Sequence, residues 1–396
     1  MTKNDDKCVP ALRFKGFNND WAQRKLGDIA NVDSSKRIHR SEYTKEGIPF
    51  FRGSEITDRK ISNLIYISKK KYNEIKNQYG VPKPGDLLIT AVGTIGNIWK
   101  VDNTSFYYKD GNLIHINPKC IDEDYLVYYF QFLKYKKIID RVASGSNQKA
   151  LTIIKVQNLK IKYPQKEGQS LIGVLLKKTE NLIALQQRKL QQLKLLKKAM
   201  LQDLFTDKNV PKLRFNGFDA NWIQCKLEKE ALLTMGQSPS GSTYSDQPST
   251  YILVQGNADL KNGWVKPRIW TTQITKLAKK GDIIITVRAP AGKVGRTNFD
   301  VVLGRGVASI QGNDFIFYLL SKMDMNKYWK KYAAGSTFES INSNDIKNTR
   351  VHVPNLPEQN RIANLFLRLD DLIRFQQNKL NNLQKTKQFL FQNMFI

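Results

Sequence analysis

The sequence predicts an α+β chain built from two similar globular domains. Each is followed by a long α-helix, and the two helices pack as an antiparallel coiled coil. Three observations predict this. The first is an internal duplication: residues 10–21 read PALRFKGFNNDW and residues 211–222 read PKLRFNGFDANW. The second is a heptad pattern in two stretches near forty residues long. The third is a mixture of short strands and helices in each half without the regular alternation of a doubly wound sheet. The predicted boundaries are 1–166 for the first domain, 167–207 for its helix, 208–356 for the second domain and 357–396 for its helix.

The helices carry the strongest pattern. Ile172, Leu176, Thr179, Ile183, Gln186, Leu190, Leu193, Lys197, Met200 and Leu204 recur at alternating steps of four and three. So do Ile362, Phe366, Leu369, Ile373, Gln376, Leu380, Leu383, Lys387, Leu390 and Met394. The two ladders match at one offset, since 362 − 172 and 394 − 204 both give 190. Each helix spans about 55–60 Å at 1.5 Å per residue. Leu171, Leu175, Leu182, Leu185 and Leu196 widen the first stripe, so packing the copies on each other is the simplest way to cover it. The seam glutamines Gln186 and Gln376 either face each other near the midpoint, where a buried polar pair sets register, or point to water.

In chain order, residues 26–32 read as a strand, followed by the polar, basic loop Ser34 to Arg40. Residues 86–92 and 95–101 read as strands around a Gly93-Thr94 turn, and 112–117 as another. Residues 122–141 form an amphipathic helix rich in Tyr, Phe and Lys. A Gly- and Ser-rich loop at 144–149, a short helix and a strand ending at Pro164 complete the half. The second half repeats this plan, with strands near 282–288, 293–298 and 301–310, a helix at 313–332, a loop at 334–339 and a last strand ending at Pro354. GDLLIT at 85–90 matches GDIIIT at 281–286.

Composition narrows the function. There are 64 Lys and Arg against 35 Asp and Glu, a formal charge of +29. Such an excess suits an acidic partner, nucleic acid first; the bland alternative is a generally lysine-rich proteome. The cysteines, Cys8, Cys120 and Cys225, are too few and too scattered for a disulfide framework or a zinc site. His39, His115 and His352 form no metal-like cluster. The polar N-terminus has no signal-peptide core and no apolar run approaches a membrane span, so a cytoplasmic protein is expected.

No catalytic signature survives inspection. GSNQKALT lacks the spacing of a phosphate-binding loop. The triplets Asp58-Arg59-Lys60, Glu74-Ile75-Lys76 and Asp345-Ile346-Lys347 are expected by chance in so lysine-rich a chain. A binding protein is therefore expected, with basic and polar loops as its surface. In the first half the candidates are Lys36, Arg37, Arg40, Arg52, Lys109, Asn147, Gln148 and Lys149. In the second they are Gln237, Ser238, Arg268, Arg288, Arg296, Arg305 and Thr337. Any Lys or Arg can meet a phosphate. Base reading takes Arg on guanine, or Asn and Gln on adenine. A solvated surface charge is the competing reading for each. The halves agree in scaffold and differ most in loops 33–60 and 234–270, as two readers of different sequences would.

These features resemble the specificity subunits of type I restriction–modification enzymes, over essentially the whole chain. The resemblance rests on the paired P-x-LRF-x-GF segments at Pro10 and Pro211, the strands after Gly85 and Gly281, the GS loops, and the two helices. VPNLPEQNRIANLF at 353–366 is very like the family's usual lead-in to its helix. YPQKEGQSLIGVLL at 163–176 departs, with Gly168 where Glu358 stands. The resemblance implies two target recognition domains, each reading one half of a split DNA site across an unread spacer. It implies no catalysis in this chain. Two methyltransferase subunits would bring AdoMet and methylate adenine, and motor-nuclease subunits would bring ATP and Mg2+. The alternatives are a self-contained DNA-modifying enzyme and a non-catalytic coiled-coil scaffold for other proteins.

Overall fold

A computed structural model describes residues 9–58, 65–143, 149–333 and 340–396. The chain forms two compact units. Unit 1 is 1–187 with 379–396, and unit 2 is 188–378, so each long helix gives one part to each unit.

Unit 1 begins with β1 (Ala22–Lys25), α1 (Leu26–Ile29), β2 (Ala30–Asp33), β3 (Tyr43–Thr44), β4 (Ile48–Phe51), α2 (Gly53–Asp58), β5 (Ile65–Ile67) and α3 (Lys69–Gln78). It continues with β6 (Leu87–Thr90), β7 (Ile98–Lys100), β8 (Tyr107–Tyr108), β9 (Leu113–Pro118), α4 (Glu123–Tyr135), α5 (Ile138–Val142), α6 (Ile153–Gln157) and β10 (Lys160–Tyr163), then enters α7 (Lys166–Leu204). Two four-stranded sheets, ordered β2-β9-β6-β7 and β3-β5-β4-β8, accompany a β1-β10 ribbon. Strand β6 shows why its sequence is an unbroken apolar run: all four residues are buried. Leu87 and Ile89 enter the core beneath α4, while Leu88 enters the core of the other sheet. The first core closes with Ile172 and Leu176 from α7 and with Leu390, Phe391, Met394 and Phe395 from the end of the C-terminal helix.

Unit 2 repeats the plan with β11 (Ile223–Lys226), β12 (Leu232–Met235), β13 (Tyr244–Ser245), β14 (Tyr251–Val254), β15 (Leu260–Lys261), β16 (Trp264–Val265), β17 (Ile269–Thr271) and β18 (Leu277–Ala278). Then come β19 (Ile283–Thr286), β20 (Val294–Arg296), β21 (Val301–Leu303), β22 (Val307–Gln311), α8 (Asp314–Met325), α9 (Lys330–Ala333), α10 (Ser343–Lys347), β23 (Arg350–Val353) and α11 (Leu356–Met394). Its sheets run β12-β22-β19-β20-β16-β15 and β13-β17-β14-β21-β18, with a β11-β23 ribbon. Strands β15, β16 and β18 have no counterpart among the described residues of unit 1; the other pairings match those of unit 1 one for one.

Within each unit the two long helices run antiparallel. Lys387 Nζ lies 2.6 Å from Glu180 in unit 1, and Lys197 Nζ 2.5 Å from Asp370 in unit 2. Every predicted seam residue is buried or half-buried. Six residues on from Glu180 and seven back from Lys387, Gln186 comes level with Leu380. Seven back from Lys197 and six on from Asp370, Leu190 comes level with Gln376. Neither glutamine turns to water. Both side chains are buried, and neither Oε1 finds a hydrogen bond among the described residues. The wider stripe is corrected too. Leu175 is half-buried, but Leu171, Leu182, Leu185 and Leu196 stay exposed.

Other elements differ from expectation for local reasons. The strand expected at 26–32 is a helical turn followed by β2, because Leu26 and Ile29, three apart, both drop into the core and Leu26 N donates to Leu159 O. The helices expected at 122–141 and 313–332 each break after a first segment. Lys137 and Lys327, the same position in the two copies, both sit at φ 56°. The strand expected at 301–310 is two strands around Gly304-Arg305-Gly306.

Candidate functional site

The loops that close the sheets gather the polar surface of each unit. In unit 1, Asn31, Asp33, Ser34, Ser35, Lys36, Tyr79, Lys83, Asp86, Tyr107, Tyr108, His115 and Asn117 help line a cleft of 440 Å³. His115, on β9, bridges two carboxylates: Nδ1 is 2.9 Å from Asp33 and Nε2 2.8 Å from Asp86. Burial alone would push its pKa down, but the hydrogen bonds to both aspartates outweigh this and hold it at about 9. The ring is therefore cationic at neutral pH. Asn117 Nδ2 and Lys83 N also donate to Asp86. Lys36 N donates to the Tyr107 hydroxyl at 2.7 Å, and burial lifts that phenol to about 12. Lys36 Nζ lies 5.0 Å above the Tyr79 ring.

Unit 2 has the same frame with other chemistry. Strand register makes Thr234 the counterpart of Asp33, Ser309 of His115 and Asp282 of Asp86. The charged triplet is thus reduced to one carboxylate. A concavity of 280 Å³ lies nearby, lined by Ser238, Gln255, Gly256, Arg288, Ala289, Arg305 and Gly306. Ser238 Oγ accepts from Arg305 N at 3.0 Å, which ties one rim to the other.

The predicted residues fall into distinct groups. Ser238, Arg288 and Arg305 come together in the unit 2 concavity. Gln237 adjoins it, exposed, its backbone N bonded to Leu303 O. Lys36 lines the unit 1 cleft, while Arg37, Arg40 and Lys149 are exposed outside its lining. Arg52 and Lys109 are neighbours across the parallel pair β4–β8, where Lys109 N donates to Phe51 O. Arg268 is held by buried Asp259 at 3.0 Å. Arg296 stands apart: it pairs with Asp314 and lies 4.4 Å over the Phe317 ring, with its side chain 14% exposed. Asn147, Gln148 and Thr337, with most of both GS loops, lie outside the described residues.

Sequence reasoning missed Gln255. No motif marks it, but the backbone does. Gln255 follows β14 as Arg52 follows β4, and each N donates to a nearby carboxylate at 2.7 Å, Asp259 and Glu55 respectively. The sequence marks Glu358 as the residue standing where the first copy has Gly168, but not its partners; it is 1% exposed. The Arg214 guanidinium forks it at 2.8 Å on both oxygens, and the Trp222 indole donates at 3.4 Å. In unit 1, Gly168 packs against Pro164 and Phe17 at the matching place. No group of side chains suited to a metal occurs among the described residues, and no described helix is long and apolar enough to cross a membrane.

Comparison with known proteins agrees with this architecture. The family model "Type I restriction modification DNA specificity domain" matches residues 18–195 and 234–385. The chain is 30% identical over 390 residues to a Methanocaldococcus jannaschii protein named as the type I restriction enzyme MjaX specificity subunit, covering 93% of this chain and 91% of that one. It shares its fold with the type I restriction–modification S subunit of M. genitalium (TM-score 0.62, 13% identity, 98% and 99% of the two chains). The HsdS subunit of Thermoanaerobacter tengcongensis is also similar (TM-score 0.50, 21% identity, 95% and 96%).

Proposed function

Because the chain belongs to the type I restriction–modification DNA specificity subunits, we propose that it directs its complex to a bipartite DNA site, one unit reading each half. The observation that carries this reading is the contrast between the two surfaces. One backbone plan holds a histidine clamped by aspartates in unit 1, and a concavity with two arginines and a glutamine in unit 2. Identical frames with different side chains suit two different half-sites. The +29 charge supplies the attraction to phosphate that any duplex offers. On this reading an unread spacer lies between the half-sites, as the resemblance to the family implies.

The chain performs no catalysis itself. Adenine methylation belongs to two methyltransferase subunits that carry AdoMet. Restriction belongs to motor-nuclease subunits that use ATP and Mg2+. Exposed apolar residues on the long helices support the count of two methyltransferases. Leu182 and Leu185 in unit 1 and Leu372 and Phe375 in unit 2 occupy matching positions and are 48–62% exposed. They offer the same docking surface twice. The complex works in the cytoplasm, on the nucleoid.

Exchanging residues 26–163 for the same span of a relative, with the partner methyltransferase present, tests the reading. One half of the methylated motif changes and the other persists. A motif that changed in both halves, or in neither, would overturn the assignment of one half-site to each unit.

A further inference from the structure

We propose that Arg52 and Gln255 are one specificity position occurring twice, with Arg52 reading guanine in the half-site of unit 1 and Gln255 reading adenine in that of unit 2. This rests on the bipartite reading above and adds to it the bases read. Backbone geometry carries the equivalence. Strand β4 pairs in parallel with β8, and β14 with β21. Lys109 N donates to Phe51 O at 2.8 Å in one unit, and Gly304 N to Val254 O at 2.8 Å in the other. The next residue along the first strand is Arg52 or Gln255. Its own N donates at 2.7 Å to an acid just downstream, Glu55 Oε2 or Asp259 Oδ2. Two independent backbone bonds thus fix the same residue in the same place.

Each side chain is presented for reading in its own way. The Arg52 guanidinium rests on Glu55, with Nη2 2.6 Å and Nε 3.2 Å from Oε1. Glu55 is nearly buried, whereas the Arg52 side chain is 34% exposed. A carboxylate behind one edge of the fork fixes its plane and leaves donors outward, the arrangement that meets O6 and N7 of guanine. The Gln255 amide makes no hydrogen bond among the described residues and is half-buried in the concavity beside Arg288 and Arg305. Its backbone is wedged: a Cβ at Gly306 would stand 2.1 Å from Gln255 O, and one at Gly304 3.2 Å from Gln255 Cα. A fixed backbone with a free amide suits adenine, whose N7 accepts from the amide nitrogen and whose N6 donates to the amide oxygen. The two arginines beside it supply phosphate contacts.

The test is a map of methylated adenines made by the intact chain with its methyltransferase, for wild type and four variants. Gln255→Ala removes an amide without a partner, so the fold is not at risk. It should relax one defined position in one half-site, with discrimination there falling on the order of 10- to 100-fold. Gln255→Arg should move that position from adenine to guanine. Arg52→Gln should alter a guanine in the other half-site only. Arg52→Lys keeps the charge beside Glu55 but loses the fork, and should relax that guanine while methylation continues. A wild-type split motif that stayed unchanged in all four variants would overturn this assignment alone. A wild-type complex with no split motif would overturn the bipartite reading itself.

Discussion

Glu358→Ala is the sharpest test of how unit 2 is held together. Glu358 lies at the start of α11, its N bonded to Asn355 Oδ1 at 3.0 Å and its carboxylate 1% exposed. It accepts two bonds from Arg214 and one from Trp222. Truncation strands the Arg214 guanidinium, whose side chain is 15% exposed and keeps only the Ala220 carbonyl as partner. Breaking a buried pair costs about 3–5 kcal/mol. Residual access of water to Arg214 brings this toward the lower end. Loss of a negative charge in the first helical turn adds about 0.3–1 kcal/mol. A total of about 3.5 kcal/mol follows, which for a unit of this size lowers its thermal midpoint by roughly 7–14 °C. Two units need not unfold together, so a single transition is not a safe readout. Hydrogen exchange resolves them: protection should fall in Ile223–Lys226 and Arg350–Val353 of unit 2 and persist in Ala22–Lys25 and Lys160–Tyr163 of unit 1. Unit 1 has Gly168 at this position and serves as the internal control. Adding Arg214→Ala to Glu358→Ala should recover part of the loss. A cost below about 0.5 kcal/mol, the range of a surface substitution, would refute the reasoning.

Three more outcomes are expected. Phe395→Ala empties a site where one ring meets Tyr125, Tyr129, Phe132 and Phe391 at centroid distances of 5.3–5.9 Å. It should cost about 3–5 kcal/mol, seen as lost protection in α4 of unit 1 and not in α8 of unit 2. His115 has its folded pKa raised to about 9, against about 6.5 unfolded. The stability it contributes is complete below pH 6.5 and lost as pH rises through 9. In thermal melts of the intact chain from pH 7 to 10, the transition that carries the unit 1 tyrosine signal should therefore fall more steeply with pH in wild type than in His115→Asn, and parallel curves would count against the bridge. Leu190→Asp with Leu380→Asp places charge at two seam positions, each 6% exposed. Assembly with the methyltransferase, followed by size-exclusion chromatography, should fail; intact assembly would show that the seam is not what holds the helices.

Much of the fold was legible because its signals repeat. A seam at strict spacing, carried twice at one offset, leaves few alternatives to paired helices. Strands such as β6 and β19 announce themselves as apolar runs, being buried on both faces. The regions 33–80 and 236–280 were opaque for the opposite reason. Their strands are two to four residues long, too short for alternation to register. The breaks at Lys137 and Lys327 were hidden because a left-handed residue is usually glycine and here is lysine. The glutamines show the limit of pattern. Both are buried, but the heptad spacing could not say whether a polar side chain there finds a hydrogen bond, and neither Oε1 does among the described residues. The site was least legible. Arg296 looked like Arg288 in the sequence, yet one is held on Asp314 and Phe317 while the other lines a concavity. Gln255 emerges only when two backbone bonds identify it with Arg52.

The most direct measurement is a genome-wide map of methylated adenines in cells carrying this gene and its methyltransferase partner, set against cells with this gene alone deleted. The account predicts that a split motif with a fixed spacer is present in the first map and absent from the second. A motif that survives the deletion, or one that is continuous and without a spacer, would contradict it.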